Sequence, residues 1–108
     1  MKMIRAIVRP EREEEVTQRL EEAGLFAMTK LDVLGRGKQR GIKVGVIKYD
    51  ALAKVMFILA VEDNEYEKAI EAIETGARTG RPGDGKIFVQ EILESYTVRT
   101  GVKAGAQD

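Results

Sequence analysis

The chain has no cysteine and no histidine among its 108 residues. Without thiols there is neither a disulfide nor a thiolate nucleophile, and without imidazole the commonest general base and the commonest metal ligand are both missing. Long apolar runs are lacking too. The longest, Val55 to Val61, falls far short of the roughly 20 residues that cross a bilayer. No membrane insertion is expected, and the opening Met1-Lys2-Met3-Ile4-Arg5 lacks the apolar stretch of a secretory signal, so the cytoplasm is the expected location. Neither sign of charge prevails: 18 Lys+Arg balance 18 Asp+Glu, which removes the overall positive field that draws a protein to nucleic acid. Aromatic residues are few, with three Phe, three Tyr and no Trp. An RNA-binding sheet would display them on its strands, whereas Phe57 and Phe88 are more simply read as core. Two prolines and no tract of a single residue type leave one ordered domain, residues 1–108.

What is present is unevenly placed. Glu11, Glu13, Glu14, Glu15, Glu21 and Glu22 crowd one segment, whereas Arg36, Lys38, Arg40, Lys43 and Lys48 share another with no acid among them. A neutral chain with one cationic segment points to a local anionic ligand. Residues 3–8 read as a strand with Ile4, Ala6 and Val8 on one face, and Pro10 lies just past its end. Val16, Leu20 and Ala23 make the stripe of a helix over 11–23, capped by Gly24. A second strand is expected over 26–34, then a long loop over 35–50. The run Lys54 to Val61 reads as a central strand covered on both faces. Asn64 is expected to start a second helix with Glu67 as its capping-box partner and Tyr66, Ile70, Ile73 and Ala77 as its buried stripe. A strand over 86–92 follows, and residues 95–108 read as a short ordered stretch and a tail over 102–108. The order βαββαβ is that of an α+β, ferredoxin-like sandwich: four antiparallel strands, two helices on one face, and a long loop after strand 2.

Two loops could carry chemistry. Gly80-Arg-Pro-Gly-Asp-Gly85-Lys86 fits the G-x-x-x-x-G-K part of a phosphate-binding loop, but Ile87 replaces the magnesium-ligating hydroxyl and the loop runs from helix into strand. Its glycines still let backbone amides approach an anion, and Lys86 supplies a charge. An ordinary glycine-rich turn is the alternative. In the first loop Gly35-x-Gly37 lacks the third glycine of a dinucleotide fingerprint, yet about fifteen residues of loop in so small a domain favour a functional role. Asp84 alone makes no acid/base pair, and Ser and Thr have no histidine to activate them, so no catalytic residue is assigned.

Taken together, several segments resemble the PII nitrogen-regulatory signalling proteins, in order and over nearly the whole chain. They are Met1-Lys-Met-Ile-Arg-Ala-Ile-Val-Arg-Pro10, Gly24, Met28-Thr29, Gly35-Arg-Gly-Lys-Gln-Arg-Gly41, Leu52-Ala-Lys54, Thr79-Gly-Arg-Pro-Gly-Asp-Gly-Lys-Ile-Phe-Val89 and Val98-Arg-Thr-Gly101. The resemblance implies a homotrimer with ATP or ADP in each cleft between neighbours, and a sensor rather than an enzyme, acting in signal transduction and transcription regulation. Gly83, Asp84, Gly85 and Lys86 would wrap the phosphates, with Gly35, Gly37, Lys38 and Arg99 adding contacts, Arg99 from the adjacent subunit. Met28, Thr29 and Thr79 would lie near the adenosine. Gln39 would coordinate the Mg2+ that bridges ATP to 2-oxoglutarate, Lys54 would pair with a carboxylate of that acid, and Gly37, Lys38, Gln39, Arg40 and Gly41 would hold it.

Departures from the family pattern narrow the expectation. The loop after Gly41 is shorter than in the usual bacterial members and Tyr49 does not fall at their uridylylated position. Thr97 stands where a first arginine is common, and Ala53 replaces the usual proline before the ligand lysine. The short Val44-Gly-Val-Ile-Lys-Tyr-Asp50 loop and the Tyr96-Thr-Val-Arg-Thr100 end resemble the branch encoded beside nitrogenase. That branch implies ammonium-dependent switch-off of dinitrogenase, relieved by 2-oxoglutarate with ATP, in an assembly that can include a second PII paralogue. The alternative is a general regulator of an ammonium transporter or glutamine synthetase.

Overall fold

The computed structural model describes residues 1–36 and 51–104 in full, together with the backbone of 42–44 and 47–49. Strict alternation makes the first strand: β1 (Lys2–Val8) buries Ile4, Ala6 and Val8 and turns Met3, Arg5 and Ile7 to its other face. Pro10 then starts a 3-10 turn over Pro10–Arg12, closed by the Arg12 amide on the Arg9 carbonyl at 3.0 Å. Only after it does α1 (Glu13–Glu22) begin, two residues later than the stripe alone predicts, with Val16 and Leu20 buried. Gly24, at φ +83°, ends it as expected.

β2 (Thr29–Gly35) begins later than residue 26, since Phe26 is exposed. Within the segment expected as loop lie two short antiparallel strands, β3 (Ile42–Val44) and β4 (Ile47–Tyr49), paired Ile42 to Tyr49. Ile42, Val44 and Ile47 are β-branched and favour extended backbone. β5 (Leu52–Val61), α2 (Tyr66–Ala77) and β6 (Gly85–Glu91) follow as the remaining helix and strands among the described residues. The sheet order is β2-β5-β1-β6 with every neighbour antiparallel, which is the ferredoxin-like α+β arrangement.

Both helices pack on one face of this sheet. Phe57, Ile4, Leu20, Leu59, Ile73, Val8 and Val16 are the largest of the fully buried side chains. Gly76 sets the spacing of the helices, because a Cβ there would lie 2.9 Å from the Val16 Cα. Three expectations fail here. β5 is covered on one face only: Val55, Phe57, Leu59 and Val61 are buried, while Met56 and Ile58 on the other face are half-buried. Its apolar run therefore reflects an open sheet face. Phe88 is not core but 48% exposed on that same face, since its register partner is Arg5 rather than Ile4. The capping box of α2 does not form. The helix starts at Tyr66 after a turn in which Glu65, not Glu67, accepts from the Glu62 amide through its side chain, at 3.3 Å.

Candidate functional site

Register gathers four strand ends at one edge of the sheet. Val8 pairs with Val55 and with Gly85, and Gly35 pairs with Leu52. The end of β2, the start of β5, the residue after β1 and the start of β6 are thus neighbours, and the loop from Thr79 to Gly85 lies across them. Lys54 and that loop, separated widely in sequence, meet directly: the Lys54 ammonium donates to the Gly83 carbonyl at 2.7 Å. Burial pushes the Lys54 amine below the usual lysine range, and the nearby Arg9 guanidinium pushes it the same way, with Glu11 and Asp84 opposing. Gly35 lies beside it, its missing Cβ only 3.2 Å from the Lys54 Cγ.

The loop is shaped from within by Asp84. Its carboxylate accepts from the Thr79 hydroxyl, from the Thr79 and Gly80 amides at 2.8 Å each, and from Arg9 Nε at 3.2 Å. These donors, the Thr79 hydroxyl first, hold the Asp84 carboxyl far below the usual carboxylate range. Gly85 closes the loop at φ +122°, and a Cβ there would sit 1.8 Å from the Ile7 carbonyl oxygen. Only glycine lets β6 start this close to β1. Next to it an open cleft of about 330 Å³ is lined by Val8, Ile73, Arg78, Asp84, Gly85 and Lys86 among others. Two cations, Arg78 and exposed Lys86, line it together with the Glu74 and Asp84 carboxylates.

Of the residues expected at a ligand, the chain therefore brings together Gly35, Lys54, Thr79, Gly83, Asp84, Gly85 and Lys86. It does not bring Met28, Thr29 or Arg99 to them. Met28 packs half-buried against the core, and Thr29 pairs with Ile58, six residues along β2 from Gly35 and thus roughly 20 Å away. Arg99 follows β6, which leaves the sheet at the opposite end, where Glu91 pairs with Lys2. It lies in a tight loop closed by a bridge between Tyr96 and Lys103 and by the Gly101 amide on the Thr97 carbonyl at 2.7 Å. Gly37, Lys38, Gln39, Arg40 and Gly41 lie outside the described residues.

Sequence reasoning missed Arg9. Its Nη2 donates to the Pro82 carbonyl at 2.6 Å while its Nε reaches Asp84. A single sequence gives no signal that residue 9 meets a loop 75 positions away; only the pairing of Val8 with Gly85 brings the two together.

The chain is similar to known proteins over most of its length. A family model described as Nitrogen regulatory protein P-II matches residues 1–102. The chain is 55% identical over 103 residues to the nitrogen fixation nifHD2 region GlnB-like protein 1 of Methanosarcina barkeri, covering 95% of this chain and 98% of that protein. It is 58% identical over 100 residues to the nitrogen fixation nifHD region glnB-like protein 1 of Methanococcus maripaludis, covering 93% and 95%. To the nitrogen regulatory protein P-II of Rhodospirillum rubrum it is 43% identical over 109 residues, covering 97% of each.

Proposed function

The chain belongs to the nitrogen regulatory protein P-II family, and on that premise we propose that it senses nitrogen status by binding ATP or ADP with 2-oxoglutarate. As a P-II protein it is a regulator and not an enzyme. The observation that carries the ligand reading is the bond from the Lys54 ammonium to the Gly83 carbonyl. It joins the cation expected to take a carboxylate of the acid to the loop expected to take the phosphates. Fixed cations and backbone amides are what such a collection of negative charge requires.

The proposed assembly is a homotrimer, with or without a second paralogue. Its support is the sheet face that carries no helix, where Leu31 is 41% and Phe88 48% exposed beside half-buried Met56 and Ile58. An apolar face of this kind on a small domain asks for cover. A neighbour would also supply what one chain separates, its Met28, Thr29 or Arg99 completing a cleft that begins at Lys86. Lys86, Lys54 and the amides of Gly83 to Gly85 would hold the phosphates and the acid. Gln39 would hold Mg2+, which would supply positive charge to gather the negative charge of the two ligands.

The proposed target is dinitrogenase, switched off when ammonium is plentiful, because two of the relatives above are named for the nifHD region. A general regulator of an ammonium transporter or glutamine synthetase is the second reading, favoured by the likeness to a protein named only for nitrogen regulation. In either case the ligands act by binding one state of the partner-facing loop at 35–50 better than another, since equal binding shifts nothing.

Calorimetric titration with Mg-ATP, with and without 2-oxoglutarate, tests the sensor. Tighter binding of the acid in the presence of Mg-ATP is expected. Lys54→Ala weakens the acid more than the nucleotide, and Lys86→Ala weakens both. No heat with either ligand sinks the reading, and equal losses in Lys54→Ala remove the role given to that lysine.

A further inference from the structure

Arg9 touches the loop of residues 79–85 at two points. Its Nη2 holds the Pro82 carbonyl at 2.6 Å and its Nε holds Asp84 at 3.2 Å. The guanidinium also closes on Gly83 from the side, where a Cβ would lie 3.1 Å from Nη2. Asp84 in turn ties down the Thr79 and Gly80 amides and the Thr79 hydroxyl. Both oxygens of the carboxylate thereby have donors within the loop or from Arg9.

We propose that Arg9 is a positioning residue for the ligand loop, and that the pair Arg9 and Asp84 forms a staple that sets the loop's shape before any ligand arrives. The chain of contacts runs from the fixed end of β1, through Arg9, to Pro82 and Asp84, and from Asp84 to the amides at the other end of the loop. β1 is paired on both sides, with β5 and β6, so the guanidinium is carried by the residue that follows a doubly held strand. This division of labour leaves Lys54 and Lys86 as the cations that meet a ligand, while Arg9 works through the loop backbone. Order already present in the free protein need not be imposed on binding, which is why such a staple raises affinity without touching the ligand. It also explains how a carboxylate is accommodated in a loop proposed for anions: its charge is matched by Arg9 and by N–H donors.

The proposal rests on the nucleotide reading for its consequence but not for its geometry, so the test separates the two. Arg9→Ala and Arg9→Lys are compared with the parent protein in two measurements: amide hydrogen exchange without ligand, and calorimetric titration with Mg-ATP. In Arg9→Ala the Thr79 and Gly80 amides exchange at least tenfold faster, while the Phe57 amide in the middle of β5 keeps its protection, which shows the fold intact. Mg-ATP binds roughly tenfold more weakly, the loss expected for one charge-assisted hydrogen bond's worth of preorganisation. Arg9→Lys, which keeps the charge and one donor but not the fork, falls between the two in both measurements. Unchanged exchange at Thr79 and Gly80 in Arg9→Ala overturns the staple. Faster exchange with unchanged Mg-ATP affinity overturns the claim that loop order governs binding. Faster exchange in a protein that binds no Mg-ATP even with Arg9 present leaves the staple standing and overturns the nucleotide reading instead.

Discussion

Replacing Gly85 by alanine is the sharpest perturbation the fold offers. The new Cβ would lie 1.8 Å from the Ile7 carbonyl oxygen, whereas carbon and oxygen rest at about 3.3 Å or more. The start of β6 must therefore retreat from β1 by roughly 1.5 Å, enough to break the pairing of Gly85 with Val8. Losing that end of the ladder costs about 1 kcal/mol, and holding a side chain at φ +122° costs a further 1–3 kcal/mol or so. The expected total is about 2–4 kcal/mol, a substantial part of the roughly 5–15 kcal/mol that holds a small domain together. Gly80→Ala is the control: its φ of +88° is strained too, but nothing lies within 4 Å of the new Cβ, so about 1–2 kcal/mol is expected. Urea denaturation at matched protein concentration measures both, as a shift in midpoint at constant slope. Gly85→Ala should fall well below Gly80→Ala and should also lose Mg-ATP binding, because Lys86 moves with the strand. Equal losses in the two variants would refute the argument, since they would leave the close approach of β6 to β1 with no energetic consequence.

Other outcomes follow from the same structure. Phe57→Ala empties the centre of the core, where Phe57 is fully buried, and should cost about 3–5 kcal/mol in the same denaturation assay. Asp84 binds its proton less readily in the folded state, because the Thr79 hydroxyl, the loop amides and Arg9 all favour the carboxylate. Its contribution is therefore fully present above about pH 4, the ordinary carboxylate value, and is lost as pH falls from there through the lower folded pKa. Protection of the Thr79 and Gly80 amides should follow that course, and in Asp84→Asn the acid-sensitive step should vanish. Ile58→Glu places a charge on the open face of the sheet; sedimentation should find the parent protein at three times the chain mass and this variant as monomer, and a parent that sediments as monomer would remove the trimer.

The alternation of Ile4, Ala6 and Val8, the stripe of Val16 and Leu20, and Gly24 as a cap could all be read from the sequence because each depends on neighbours only a few residues away. The βαββαβ order followed from them. What misled was the meaning of apolarity in strands. Met56, Ile58 and Phe88 read as interior because their chemistry is that of a core, but strand register put them on the face that the two helices do not reach. The delayed start of α2 has a similar origin, as Glu65 took the role expected of Glu67 through a turn that no periodicity reports.

The sequence by itself determined the fold class, and through the glycine-rich loops and their lysines it determined that an anion site was to be expected. Local spacing and composition suffice for both, since helices, turns and close backbone approach are settled over a few residues. Only the tertiary structure decided how that site is built. Lys54 reaches the Gly83 carbonyl, and Arg9 staples Asp84 and Pro82, because β1 pairs at once with β5 and β6 and brings distant strand ends to one edge. The same topology sends Thr29 and Arg99 away from that edge, which is the physical reason a single chain holds only part of the proposed site.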